Sequence, residues 1–128
     1  MELRVESHQH VDVLRVVGRL DLVSSSTLKD AIRQRLSDHR SALVLNLEKV
    51  DFINSSGLGA LLSALKDVRL SGGRLVLCHL TPYADEIFAL TGLKQILDTY
   101  ETQDEAVASF ASTATPTGGL PRARTARG

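Results

Sequence analysis

Two adjacent hydroxyls flanked by small residues, in Asn54-Ser55-Ser56-Gly57-Leu58-Gly59, form the stretch of this chain best suited to chemistry. Asp51-Phe52-Ile53 precedes it, and Leu58, Leu61, Leu62, Leu65 and Val68 follow at helical spacing. That pattern predicts a strand running into a helix. The first backbone N–H groups of a helix have no internal partner, and with the helix dipole they favour an anion. A phosphate on Ser55 would therefore meet free donors. Serine is also a favoured helix cap. Residue types alone leave Ser55 as a cap, a phosphate acceptor or both.

Other chemistries fit less well. Gly57-Leu58-Gly59 lacks the Lys-Ser/Thr of a nucleotide P-loop and the spacing of a dinucleotide fingerprint. Ser55 lies outside any Gly-x-Ser-x-Gly elbow, and no histidine falls in a recognisable triad order. Asn54-Ser55-Ser56 matches a glycosylation sequon, which carries no meaning without secretion. His8 and His10 flank a predicted turn with no second ligand cluster, so a solvated turn is expected rather than a metal site. Cys78 sits in an apolar run and reads as inert core. Neither a cofactor nor a metal is called for.

The elements that must position Ser55 follow from the apolar pattern. Leu3, Val5 and Ser7 alternate with charged residues, predicting a strand with one wet face. Val11 to Val17 predicts a second strand ended by Gly18, so the chain begins with a hairpin. Ser24 offers a cap for a first helix whose stripe is Leu28, Ile32 and Leu36. Ala42-Leu43-Val44-Leu45 and Leu75-Val76-Leu77-Cys78 are short continuous apolar runs, the mark of strands buried on both faces. Gly72-Gly73 closes the second helix. Thr81-Pro82 opens a third, with Ile87, Phe88 and Leu90 as its apolar side and Gly92 as its end. Ile96 to Tyr100 predicts a weak strand, and Thr102 to Glu105 has capping-box spacing before a last helix with Ala106, Val107 and Phe110 inward. The expected fold class is α/β: a mixed, mostly parallel sheet of about five strands with about four helices.

One domain over 1–112 accounts for the folded part of the 128 residues. Residues 113–128 are rich in Thr, Ala, Pro and Gly and read as a disordered tail. The chain holds 15 basic and 15 acidic side chains. Setting aside the tail's Arg122, Arg124 and Arg127 leaves 12 basic against 15 acidic, so the folded part is weakly acidic. Nothing in that balance calls for nucleic acid or a membrane as partner. The single cysteine and the absence of a signal-like N-terminus make the cytoplasm the expected compartment. The oligomeric state is not fixed by these features, and a weak homodimer is compatible with them.

The run from Val44 to Gly59, with its hydrophobic strand followed by Asn54-Ser55-Ser56-Gly57-Leu58, resembles the signature of the bacterial anti-sigma factor antagonists, the STAS-domain family. Gly18-Arg19-Leu20-Asp21 resembles the family's Gly-x-Leu-Asp turn, and Gly72-Gly73-Arg74-Leu75 and Leu90-Thr91-Gly92-Leu93 also fit. The resemblance spans about Leu3 to Phe110. It implies a STAS-like fold and a non-enzymatic regulator. By it, an anti-sigma factor serine kinase would phosphorylate Ser55. The unphosphorylated form would bind that kinase and release sigma factor, and a serine phosphatase would reset the switch. The partner-binding residues it implies are Asp21, Asn54, Ser55, Ser56, Gly57 and Leu58. The family usually has Asp where this chain has Asn54, which removes a negative charge beside the acceptor and leaves a second reading, a non-phosphorylated sensor of a small ligand or nucleotide.

Overall fold

The computed structural model describes residues 2–113, with side chains through 111. The elements in order are β1 (Glu2–His8), β2 (Val11–Leu20), α1 (Leu22–Ser37), β3 (Ala42–Ile53), α2 (Ser55–Leu70), β4 (Arg74–Cys78), α3 (Pro82–Thr91), a 3₁₀ turn (Leu93–Gln95), β5 (Asp98–Tyr100) and α4 (Gln103–Thr113). One five-stranded sheet has the order β1-β2-β3-β4-β5. β1 and β2 form the expected antiparallel hairpin, and every later neighbour is parallel. The reading of 113–128 as a tail falls, from residue 114 on, outside the described residues.

The continuous apolar runs of β3 and β4 are explained by cover on both faces. On one side Leu43, Leu45, Leu75 and Leu77 join Leu14 and Val16 beneath Leu28 and Ile32 of α1, Leu61 and Leu65 of α2, and Phe88 of α3. On the other, Val11, Val13, Val44, Val76 and Cys78 pack under Ala106 and Phe110 of α4. Burying such a side chain fully contributes about 1.5–3 kcal/mol. Thr81 and Pro82 start α3 as expected, with the Ala84 N–H donating to Thr81. Thr102 and Glu105 exchange hydrogen bonds as a capping box.

Several expectations are corrected. α1 is capped by Asp21, not Ser24: Asp21 is extended at φ −133 and accepts from the Ser24 N–H, while the Ser24 hydroxyl accepts from the Asp21 N–H. β2 runs past Gly18 to Leu20, because Gly18 adopts φ +111 at a register shift and pairing with β3 resumes beyond it. β3 likewise outruns its apolar run and ends at Ile53. β5 holds only Asp98–Tyr100, because Ile96 and Leu97 follow the 3₁₀ turn with their N–H groups turned back to the Leu93 carbonyl. Leu90 is 80% exposed rather than inward, since the buried side of α3 is carried by Ala84 and Phe88. β1 is exposed on both faces apart from Leu3.

Two of the buried polar side chains, Asn46 and Asp12, lie within the sheet. Asn46 donates to Gln103 of α4 at 2.9 Å and accepts from the Glu48 N–H at 3.0 Å, which holds the irregular step in the β2–β3 ladder. Asp12, with its side chain fully buried, receives Arg40 and Ser7. These satisfied partners make burial tolerable.

Candidate functional site

β2 and β3 are parallel neighbours that end level, with Leu20 opposite Ile53. Each is followed at once by a helix, so α1 and α2 begin side by side at one end of the sheet. In open α/β sheets this end, outside the carboxyl termini of the strands, is where sites form. β4 pairs only with Ala42 to Asn46, leaving the last part of β3 without a strand on that side. Tyr83 of α3 takes over there: its hydroxyl accepts from the Ile53 N–H and donates to the Ile53 carbonyl, each at 3.2 Å.

The two helix starts are knitted together. The Asn54 N–H donates to the Leu20 carbonyl at 3.2 Å. Gly57 is buried against the same carbonyl, so a Cβ on Gly57 would overlap its oxygen and stand 2.8 Å from its carbon. The buried Ser25 hydroxyl lies within hydrogen-bond reach of the Asp21 carbonyl and, at 3.1 Å, of the Ser56 carbonyl. The first turns of α1 and α2 therefore form one polar seam. Arg19 lies over the Phe52 ring at 3.9 Å and reaches Asp21 at 3.4 Å. Hydrogen bonding from the Ser24 N–H, with smaller help from the Ser24 hydroxyl and Arg19, holds the Asp21 carboxyl below its usual range.

Asn54 is the cap of α2. It is extended at φ −116, and its side-chain oxygen accepts from the Gly57 N–H at 3.0 Å. Ser55 is the first helical residue and is exposed. Among the described residues no group bonds the Ser55 hydroxyl or the Ser55 and Ser56 N–H groups. The cap reading of Ser55 is thus replaced: capping falls on its neighbour, and the hydroxyl at 55 is left for other work. An amide caps about as well as a carboxylate, so Asn54 keeps the helix start while removing a charge beside it.

The six residues singled out by sequence do gather at one place. Asp21 and Asn54 are half-buried caps, Ser55 faces solvent, and Ser56 is half-buried. Gly57 is buried, and Leu58 packs partly against the core. Sequence reading missed four neighbours. Ser25 and Tyr83 hold the seam through hydrogen bonds that join distant parts of the chain, which no local pattern reveals. Leu22 and Val23, 71% and 82% exposed on the first turn of α1, could have been noticed as apolar residues off the Leu28-Ile32-Leu36 stripe.

Comparison with known proteins places this arrangement. The STAS domain family matches residues 2–106. The chain belongs to that family. Among STAS-domain proteins it is similar to the anti-sigma-B factor antagonist of Bacillus subtilis, with 30% identity over 77% of this chain and 91% of that protein. The anti-sigma F factor antagonist of Paenibacillus polymyxa is 29% identical over 84% of this chain and 92% of that protein. A crystal structure of an anti-sigma factor antagonist from Mycobacterium paratuberculosis is 30% identical, with a TM-score of 0.76 over 84% of this chain and 92% of that one. STAS-domain antagonists are regulatory binding proteins that engage anti-sigma factors and are generally not enzymes. No helix among the described residues is long and apolar enough to cross a membrane.

Proposed function

We propose that this STAS domain is an anti-sigma factor antagonist switched at Ser55. Its unphosphorylated form docks on an anti-sigma factor serine kinase in the cytoplasm and thereby releases a sigma factor. The kinase transfers the terminal phosphoryl group of ATP to the Ser55 oxygen, the hydroxyl proton leaves, and ADP is the product. A serine phosphatase hydrolyses the ester and restores docking. The observation that carries this reading is the exposure of Ser55 at the first position of α2, with the cap duty held by Asn54.

Magnitudes favour repulsion over refolding as the switch. A phosphoserine carries about −1.5 to −2 charges. At a helix start, exposed, that charge is stabilised by about 0.3–1 kcal/mol, too little to rearrange the domain. Against a partner carboxylate about 5 Å away, repulsion is roughly 3 kcal/mol per unit charge at an effective dielectric near 20. Since 1.4 kcal/mol is about tenfold in affinity, docking falls by about a hundredfold or more. Leu22 and Val23 supply apolar contact beside the serine, and Asp21, Asn54 and Ser56 supply its polar rim.

Incubation with the cognate kinase and ATP, followed by mass spectrometry, tests the acceptor. Phosphate is expected on Ser55 and absent from Ser55→Ala; full labelling of that variant moves the acceptor elsewhere. Ser55→Glu should bind the anti-sigma factor more weakly than the parent, and equal affinities would reject the repulsion mechanism.

A further inference from the structure

β1 offers a free edge whose charges suit one partner, a second copy of itself. The strand lies at the rim of the sheet, and all seven of its residues except Leu3 are exposed. A bare edge of that length is a template for strand addition. Pairing with β2 sets its two faces: Leu3, Val5 and Ser7 stand opposite Val16, Leu14 and Asp12, while Glu2, Arg4, Glu6 and His8 stand opposite Val17, Arg15, Val13 and Val11. The four polar residues therefore share one face.

Two such strands brought edge to edge by a two-fold axis run antiparallel with the same face up. Even-numbered residues then oppose even-numbered ones. A pairing centred on Val5 sets Arg4 against Glu6 of the copy and Glu2 against His8, each twice. Centring on Arg4 instead sets Arg4 against Arg4 and Glu2 against Glu6. Centring on Glu6 sets Glu6 against Glu6 and Arg4 against His8. Registers farther out pair only the strand tips. One well-overlapped register is attractive and its neighbours on both sides are repulsive, which is how directly opposed charges select register.

We propose that the chain forms a weak homodimer by antiparallel pairing of β1 in the register centred on Val5, joining the two sheets into one. In the single chain Arg4 lies 2.7 Å from Glu2 and His8 lies 3.4 Å from Glu6 within the same strand. Dimerisation exchanges these exposed pairs for cross-strand ones, so the gain is small and association is weak. The assembly closes at two copies, because both β1 edges are consumed and the opposite rim is the three-residue β5. The proposal is independent of the reading of Ser55.

Sedimentation equilibrium of the full chain from micromolar to millimolar concentration tests it. A reversible monomer–dimer equilibrium is expected, with backbone amides of residues 3 to 7 gaining hydrogen-exchange protection as concentration rises. Arg4→Glu and Glu6→Arg should each weaken association about tenfold or more, since each sets like charges across the axis twice. The double variant Arg4→Glu/Glu6→Arg restores the complementarity and should associate within about threefold of the parent. A chain that stays monomeric at every concentration overturns the proposal and leaves the edge to a strand of another protein. A dimer unmoved by both single changes, or not rescued by the double change, overturns it as well.

Discussion

Gly57 sits against the carbonyl of Leu20 with no room for a side chain between them. The contact joins the end of β2 to the first turn of α2 and so fixes where Ser55 is held. The glycine serves close approach here, as it carries no positive φ.

Gly57→Ala should destabilise the domain by about 1–3 kcal/mol, the usual cost of forcing a methyl into packed backbone. Gly59→Ala is the control, since a Cβ there meets nothing within 4 Å. It should stabilise by about 0.5–1 kcal/mol, the helix-interior advantage of alanine over glycine. Urea unfolding of both variants checks the contrast, and equal effects would show that the Leu20 contact is not restrictive.

Capping falls on Asn54 and the proposed modification on Ser55, and stability can separate the two roles. Asn54→Ala should cost about 1 kcal/mol through loss of the bond from the Gly57 N–H, whereas Asn54→Asp should keep it. Ser55→Ala should change stability by less than about 0.5 kcal/mol. Thermal melts of the three variants decide this. A large loss at Ser55 would return the cap role to the serine.

At the other end of β2, Asp12 gives the fold an acid limit. The hydrogen bond from Arg40 is the main cause holding its carboxyl below the usual range, against the upward push of burial, with Ser7 and Arg35 assisting. A carboxyl depressed in the folded state adds stability above the unfolded value near 3.9, and this is lost as pH falls through the folded value. Urea midpoints should therefore drop as pH falls below the usual carboxylate range. Asp12→Asn should lack that part of the slope. Arg40→Ala at neutral pH should cost on the order of 2–3 kcal/mol, below the figure for a fully buried pair because the Arg40 side chain is 31% exposed.

Cys78 should be silent in the native protein. It is buried beneath α4, and burial pushes its thiol up to about 12. Iodoacetamide at pH 8 should leave it unlabelled until the chain is unfolded. Rapid native labelling would mean that α4 lifts from the sheet.

The sheet and its helices were legible because burial on both faces writes itself as unbroken runs such as Leu43-Val44-Leu45 and Leu75-Val76-Leu77. The stretch of β3 from Glu48 to Asp51 was not, because Glu48, Lys49 and Asp51 face solvent and break the apolar signal while pairing with β2 keeps the backbone extended. Asp21 and Ser24 are both good caps by type, and only the extended backbone at Asp21 separates them. The place of Ser55 was readable from the strand-to-helix pattern. The seam through Ser25 was not, since it joins residues 31 apart in sequence.

The separation of the cap at Asn54 from the proposed acceptor, Ser55, bears on how long each form of such a switch would survive. A covalent mark on a residue that holds no part of the fold leaves the ratio of closed to transiently opened chains nearly untouched. Proteases that cut only opened chains would then remove marked and unmarked molecules at the same pace. Signalling would redistribute a constant stock between two forms without changing its size.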